Sequence, residues 1–402
     1  MPVLNCQLPK RYGPGTPMTD VTPVHDHAGD IVVCSLEAWD DVWRRNQFFV
    51  QHFLDASAGL RVLFVEPPVD VALELAKRRR PGPVGLRQVS VDGRLWALRP
   101  RKVLPRLLAR GSVDRRLARS VEGAVTNLGL RNPLLWVNDV TYAGLAKRCA
   151  WPVVYDVTDD WLLAGGNKRA LKRLQACEAN LLERADEVVV VSESLVASRG
   201  RARRVHVVGC GVDLGHFSEP RPRPTDLPPS PVAVYVGTQH DIRLDVDLCT
   251  ATAHAISPAK LVFVGPNCLA HESTRRLRSA GCTLLGPRPY KDIPAYYQHA
   301  DVVVVPHRVN PFTESLDPIK GYECLAAGRP AVSTPVAGLR DLGPPIELVA
   351  PAEFAPRVRQ LLGQMRPSQP GPAPTWAERA DAFAAVLNVA RRKRPTLPAT
   401  SS

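Results

Sequence analysis

A run of apolar residues long enough to cross a bilayer is missing from this 402-residue chain. Such a helix needs roughly 18–20 apolar residues in a row; the densest stretches here are four valines at 188–191 and four at 302–305. The opening MPVLNCQLPKRYGPGTPMTD has no apolar core of the kind a secretory leader carries, so a cytoplasmic protein is expected. Cysteine occurs nine times, without a Cys-x-x-Cys pair or a Cys/His cluster at zinc spacing. That scatter argues against a disulfide scaffold or a zinc site and fits buried thiols in a reducing compartment. Acid is scarce too: 39 Asp and Glu stand against 52 Lys and Arg, for a formal charge of +13. Such a balance attracts polyanions, whether nucleic acid, anionic lipid or phosphorylated small molecules.

The excess charge is local. Residues 99–119, RPRKVLPRLLARGSVDRRLAR, hold eight basic residues against one acid, with Val103, Leu104, Leu107 and Leu108 at helical spacing. Three readings fit: a solvated arginine-rich surface, a patch facing an anionic membrane surface, or a nucleic-acid contact. No aromatic interleaving or recognition motif accompanies the charge, so no nucleic-acid partner is expected.

Hydrophobic residues make up 45% of the chain and charged residues 23%, the proportions of an ordinary globular protein. Residues 1–29 read as a loose tail. Short β-branched runs then alternate with longer amphipathic segments, at 31–33, 62–65, 134–137, 153–155, 188–191 and 205–208. Room for a helix between runs argues a parallel sheet with crossover helices. The proline-rich EPRPRPTDLPPSP at 219–231 interrupts this and reads as an interdomain linker. A second series follows at 232–236, 261–264, 283–285, 302–305 and 331–333. The expectation is an α/β protein: a first domain over 30–218, a second over 232–374, a terminal helix over 375–394 and a tail at 395–402. Ligands of doubly wound sheets bind beyond the carboxyl ends of the strands, so polar residues just past those ends are the candidates.

In the second domain, Gly237 follows the opening strand directly, with Thr238, Gln239, His240 and Arg243 behind it. A glycine there lets backbone amides approach an anion, though a plain tight turn has the same signature. The segment ESLDPIKGYECLAAGRPAVST at 314–334 concentrates the polar chemistry. Asp317 can cap the helix, Pro318 suits its first turn, and Lys320 and Glu323 share one face. Glu314 precedes them in a loop, free to point into a cleft. A lysine at a helix start suits a diphosphate, and a carboxylate suits a ribose diol. The bland alternative is an exposed Lys–Glu pair beside a solvated loop acid.

That segment resembles the donor-site signature of retaining nucleotide-sugar glycosyltransferases of the GT-B fold, the large family-four group. Within it, the chain is similar to a bacterial branch associated with teichuronic-acid-type polysaccharide synthesis. VVGCGVDLGHF (207–217), VYDVTDDW (154–161), and WDDVWRRNQFF with RVLFVEPP (39–49, 61–68) match in the same order. The resemblance implies two Rossmann-like domains facing each other across a cleft, and a TWAER helix that packs back on the first. Glu323 then takes the acid that holds the donor ribose, and Glu314 the acid near the donor sugar and diphosphate. Gly286 and Arg288 meet the nucleobase. Asp159 and Asp160 reach the sugar or acceptor, and Arg44, Arg45, Asn46 and Gln47 line the acceptor side.

The chain also departs from the family pattern. Eight residues separate Glu314 from Glu323, one more than the family interval, which puts Ser315 in the usual acid's slot. The family's Arg and Lys after the second domain's first strand are replaced, on this reading, by Gln239, His240, Arg243 and Lys320. The resemblance implies sugar transfer from a nucleotide diphosphate donor, a UDP- or GDP-sugar, with retention and without a metal or other cofactor. The acceptor is a polysaccharide, glycolipid or secondary metabolite, placing the enzyme in the cytoplasm or on the inner face of the membrane in cell-envelope synthesis. A nucleotide-sugar epimerase of the same fold, or an inactive scaffold binding a membrane surface, are the rival readings.

Overall fold

The computed structural model describes residues 29–76, 78, 80–103, 111–165, 167–200, 204–364 and 370–394. Most of the expected N-terminal tail, residues 395–402 and Leu104, Leu107 and Leu108 of the basic segment lie outside them.

Among the described residues the chain builds sixteen strands. β1 (Ile31–Cys34), β2 (Val62–Val65), β3 (Val69–Asp70), β4 (Gly85–Gln88), β5 (Leu95–Arg99), β6 (Arg101–Lys102), β7 (Leu134–Val137), β8 (Val153–Val157), β9 (Glu187–Val190) and β10 (His206–Val207) belong to the first domain. β11 (Val232–Val236), β12 (Lys260–Val264), β13 (Thr283–Gly286), β14 (Val302–Val305), β15 (Ala331–Ser333) and β16 (Ile346–Leu348) belong to the second. The first large sheet has the order β10-β9-β8-β7-β1-β2-β5-β4, parallel except for β4 against β5. The second runs β13-β12-β11-β14-β15-β16, all parallel. This is the doubly wound order, in which the sequence of strands reverses beside the first strand while the strands there all run parallel.

Central strands such as β1, β7 and β14 are buried at every residue, as a sheet covered on both faces by helices requires. β-branched runs supply that surface, and these strands fall where the sequence places them. The edge differs: neither β4 nor β5 was anticipated, and for β4 the reason is plain, since GLRQ is polar and mostly exposed and carries no apolar run, whereas the apolar LWAL of β5 was passed over.

The last helix, Trp376–Lys393, starts on a reciprocal cap. Glu378 N–H donates to Thr375 Oγ1 at 3.2 Å, and Thr375 N–H donates to Glu378 at 2.8 Å. It packs against the first domain, with Trp376 stacked on Phe48 at 4.4 Å between ring centres and Phe383 at 4.6 Å from Trp136. The proline-rich segment 219–231 lies along the second domain, where Asp226 accepts from Tyr296 Oη at 2.7 Å and pairs with Arg288.

Polar contacts also join the two domains directly. Ser192 Oγ donates to the Ser315 carbonyl at 2.8 Å, Asp160 N–H to Ser315 Oγ at 3.1 Å, and Cys210 N–H to Asp317 Oδ2 at 2.6 Å. Asp317 was expected to cap the helix Ile319–Ala327, but no side chain caps that helix. Its second oxygen accepts from Tyr322 Oη at 2.7 Å, so its carboxylate ties helix to first domain instead. Gly209 permits this approach, since a Cβ there would stand 2.6 Å from Asp317 Oδ2.

Candidate functional site

A cavity of about 460 Å³ opens between the domains, within the size range of small-molecule sites. Its walls come from beyond the carboxyl ends of the strands on either side of each reversal: Leu36–Asn46 after β1, Asn138 after β7, Thr238 and Arg243 after β11, and His307 after β14. Both doubly wound sheets thus turn their ligand edges toward one space.

The second-domain wall is cationic. Lys320, in the first turn of helix Ile319–Ala327, extends over the Tyr235 ring at 5.2 Å and makes no hydrogen bond or ion pair with a described residue. Gly237 makes room for it: φ is +132°, and a Cβ would lie 2.7 Å from Lys320 Nζ. Burial and the neighbouring Arg243 push the Lys320 ammonium down to about 8, with Glu323 opposing. The Arg243 guanidinium likewise has no acceptor among the described residues. His307 is 1% exposed and kept well below its usual pKa by burial and by Lys320 and Arg243. Its Nε2 faces Tyr235 Oη at 3.4 Å, and its Nδ1 has no partner. Two cations with no hydrogen-bonded carboxylate among the described residues and a neutral imidazole therefore share one wall.

The first-domain wall is built differently. Arg45 is buried in a pair with Asp156 at 2.5 Å and also donates to the Val208 carbonyl at 2.9 Å. Asn46 Nδ2 donates to Ser35 Oγ and to Asn138 Oδ1, both at 3.1 Å, and Asn138 Nδ2 donates to the Asp156 carbonyl at 3.0 Å. That network fixes the β1 exit to the β7 and β8 exits. At the surface of the cavity, Arg44 pairs with Glu37 at 3.1 Å and Asp40 at 3.4 Å. Asp159 makes no hydrogen bond or ion pair with a described residue. Burial raises its carboxyl to about 7, opposed by Arg243 and reinforced by Glu37.

Of the residues singled out in the sequence, Arg44, Arg45, Asn46, Asp159, Thr238, Arg243, Asp317, Pro318 and Lys320 line this cavity. Others sit around it with structural partners. Gln47 accepts from Arg44 N–H at 3.1 Å and donates to the Asp40 carbonyl at 2.9 Å, shaping the loop. Asp160 turns away from the cavity into a buried cluster with Arg199 and Glu178. Gln239 Nε2 donates to the Gly237 and Gly265 carbonyls at 3.0 and 3.2 Å, bracing two strand exits. His240 is partly buried and Gly286 closes β13, while Arg288 is held by Asp226.

Glu314 does not point into the cavity; Arg340 holds it bidentately at 2.8 and 2.9 Å on the outer side of the loop. Ser315, in the expected acid's slot, serves the domain contact described above. Glu323 is enclosed and accepts from Tyr297 Oη at 2.5 Å, and burial raises its carboxyl.

Glu37, Asn138, Trp161 and His307 line the cavity but were not picked out from the sequence. Asn138 and His307 stand one and two residues past β7 and β14, so the strand-end rule marks them. Glu37 carries no such signal beyond lying on the loop after β1.

Residues 230–364 match the family described as Glycosyl transferases group 1. TuaH of Bacillus subtilis (strain 168), named for a glycosyltransferase of teichuronic acid biosynthesis, is 24% identical over 253 residues, covering 57% of this chain. The chain spans less than two thirds of that relative's length, 64%. Among solved structures, the apo form of OtsA superposes with a TM-score of 0.58 at 12% identity, covering 91% of this chain and 96% of that one. HepE of Anabaena, in complex with UDP and glucose, superposes with a TM-score of 0.56 at 14% identity, covering 91% and 98%. At these identities the structural likeness is one of fold, and that fold is GT-B.

Proposed function

From a second domain that matches the group 1 glycosyl transferase family, in a two-domain GT-B frame, we propose that the protein transfers a sugar from a nucleotide diphosphate donor to an acceptor seated on the first domain. The observation that carries this reading is the pair of cations, Arg243 and Lys320, that share an interdomain cavity and whose side chains make no hydrogen bond or ion pair with a described residue. A half-buried ammonium and guanidinium whose donors are not taken up by a carboxylate are costly, and a diphosphate supplies acceptors and charge for both. The same pair would stabilise the diphosphate as it departs with its charge increased, a role open to protein cations without a metal. Transfer without added metal and with retention at the anomeric carbon is part of the proposal. So is a UDP- or GDP-linked donor.

Glu323 is three residues beyond Lys320 on the same helix, where a carboxylate can accept from the two hydroxyls of a ribose. Asp159 faces the space between donor and acceptor. The acceptor class expected is a carbohydrate, a lipid-linked sugar or a small molecule. Exposed Arg115, Arg116 and Arg119 on helix Ser112–Asn127 would meet an anionic membrane surface beside it. Flotation with anionic vesicles but not neutral ones checks that part; equal recovery with both would remove it. Among the described residues no helix is long and apolar enough to cross a membrane.

The test of the donor site is a thermal-shift series with UDP, GDP, dTDP and ADP sugars. A ligand that binds only the folded chain raises the melting temperature with concentration. One nucleotide class should raise it in the wild type, and Glu323→Ala should weaken that response at least tenfold in concentration. Equal affinity in both proteins overturns the assignment of Glu323.

A further inference from the structure

The free charge of the cavity is divided by domain. On the second-domain wall Arg243 and Lys320 make no hydrogen bond or ion pair with a described carboxylate, although Arg243 acts at longer range on Glu37 and Asp159, and Glu323 on Lys320. On the first-domain wall the cations are already engaged: Arg45 with Asp156, and Arg44 with both Glu37 and Asp40. That leaves two carboxylates to one guanidinium at the surface of the cavity, and Asp159 with no partner beside them. His307, 1% exposed on the opposite wall with Nδ1 unpartnered, independently marks a cavity that holds a polar molecule. A molecule resting against the first domain therefore meets acceptor oxygens and surplus negative charge. One resting against the second meets positive charge.

We propose that the acceptor is a neutral or amine-bearing polyhydroxylated molecule, and that Glu37, Asp40 and Asp159 select against acceptors carrying phosphate, sulfate or carboxylate. This rests on the glycosyl-transfer reading above and adds the acceptor's charge class to it. Carboxylates accept hydrogen bonds from hydroxyl and ammonium groups and have nothing to donate to an anion when ionised. Like charge placed against like is a recognised means of rejecting a wrong partner, and it acts hardest where water is excluded. The same division orients the donor. Its diphosphate is drawn to Arg243 and Lys320 and turned away from the acceptor wall, so one arrangement of charge sets both which molecule sits where and which way round.

The experiment is isothermal titration calorimetry at pH 8.5, where Asp159 is ionised, on the full chain saturated with whichever nucleotide stabilises it, in 0.15 M salt. The probes are methyl glucoside, methyl mannoside, methyl galactoside, methyl glucosaminide, methyl glucuronide and glucose 6-phosphate. At least one neutral or amine probe should bind ten or more times as tightly as the glucuronide and the phosphate. Glu37→Gln and Asp159→Asn should each narrow that gap several-fold, and Arg44→Gln, which removes the compensating guanidinium, should widen it. Anions bound as tightly as the neutral probes overturn the proposal, and so does a gap that moves the same way in Glu37→Gln and Arg44→Gln. If no nucleotide binds, the donor reading fails by itself; the same sugar series without nucleotide then ranks the charge preference of the wall.

Discussion

Replacing Lys320 by methionine should make the ligand-free protein more stable while abolishing donor binding. The ammonium is withdrawn from water, makes no ion pair with a described residue and stands beside Arg243, and its pKa falls from 10.5 to about 8 despite Glu323 three residues on. At about 1.4 kcal/mol for each tenfold change, that depression amounts to roughly 3 kcal/mol of folding stability withheld at neutral pH. The sign follows from proton counts: between about 8 and 10.5 the unfolded chain holds a proton that the folded chain has released. Wild-type stability contributed by this group therefore rises as pH rises through that window. Methionine has a similar length and no charge, so Lys320→Met removes the penalty. It also gives up the contact with the Tyr235 ring, worth about 0.5–1 kcal/mol, leaving a net gain of about 2 kcal/mol. Urea denaturation at pH 7 reads the stability, and the nucleotide-sugar thermal shift reads the binding. A variant less stable than wild type that still responds to nucleotide would refute the reasoning, because Lys320 would then be a structural cation.

Asp159→Asn should change the pH dependence of stability. With its carboxyl raised to about 7, the folded wild type holds a proton the unfolded chain lacks from about pH 4 to 7, so its stability falls as pH rises through that range. The melting-temperature difference between variant and wild type should be smallest near pH 4 and grow to its full size by pH 8, with the variant higher there; parallel curves would show that Asp159 is not enclosed. Asp317→Ala removes a carboxylate bonded to Cys210 N–H and Tyr322 Oη, at a cost of about 2 kcal/mol in domain contact. Small-angle scattering of the ligand-free variant should give a larger radius of gyration, and an unchanged value with an unchanged melting temperature would discount the contact.

The valine runs at 188–191 and 302–305 and the prolines at 219–231 were enough to expect two α/β domains, because a strand buried on both faces must be apolar throughout. β4 and β16 escaped notice for the converse reason. An edge strand owes its place to one neighbour, and GLRQ or IEL need carry no run of its own. In the site, Arg243 stood out as a cation past the end of β11 and Lys320 as one at a helix start, though an exposed Lys–Glu pair had the same local signature. Glu314 was not, since its direction depends on Arg340, twenty-six residues away in sequence and invisible to any local pattern. Asp317 illustrates the same limit. An Asp-Pro before a helix reads locally as a cap, and only the approach of Cys210 from the other domain gives its carboxylate a better partner.

The hydrogen bonds from Ser192, Asp160 and Cys210 all end on Ser315 or Asp317, within five residues of Lys320. Any parting of the domains must break these bonds, and each break releases the stretch of chain that leads into the lysine's helix. The contact between the domains and the bearing of Lys320, the cation proposed for the donor diphosphate, thus share one piece of peptide. On the proposed reading, a substitution that stiffens residues 315–317 would slow donor capture and release together, and one that loosens them would leave the lysine without a fixed bearing.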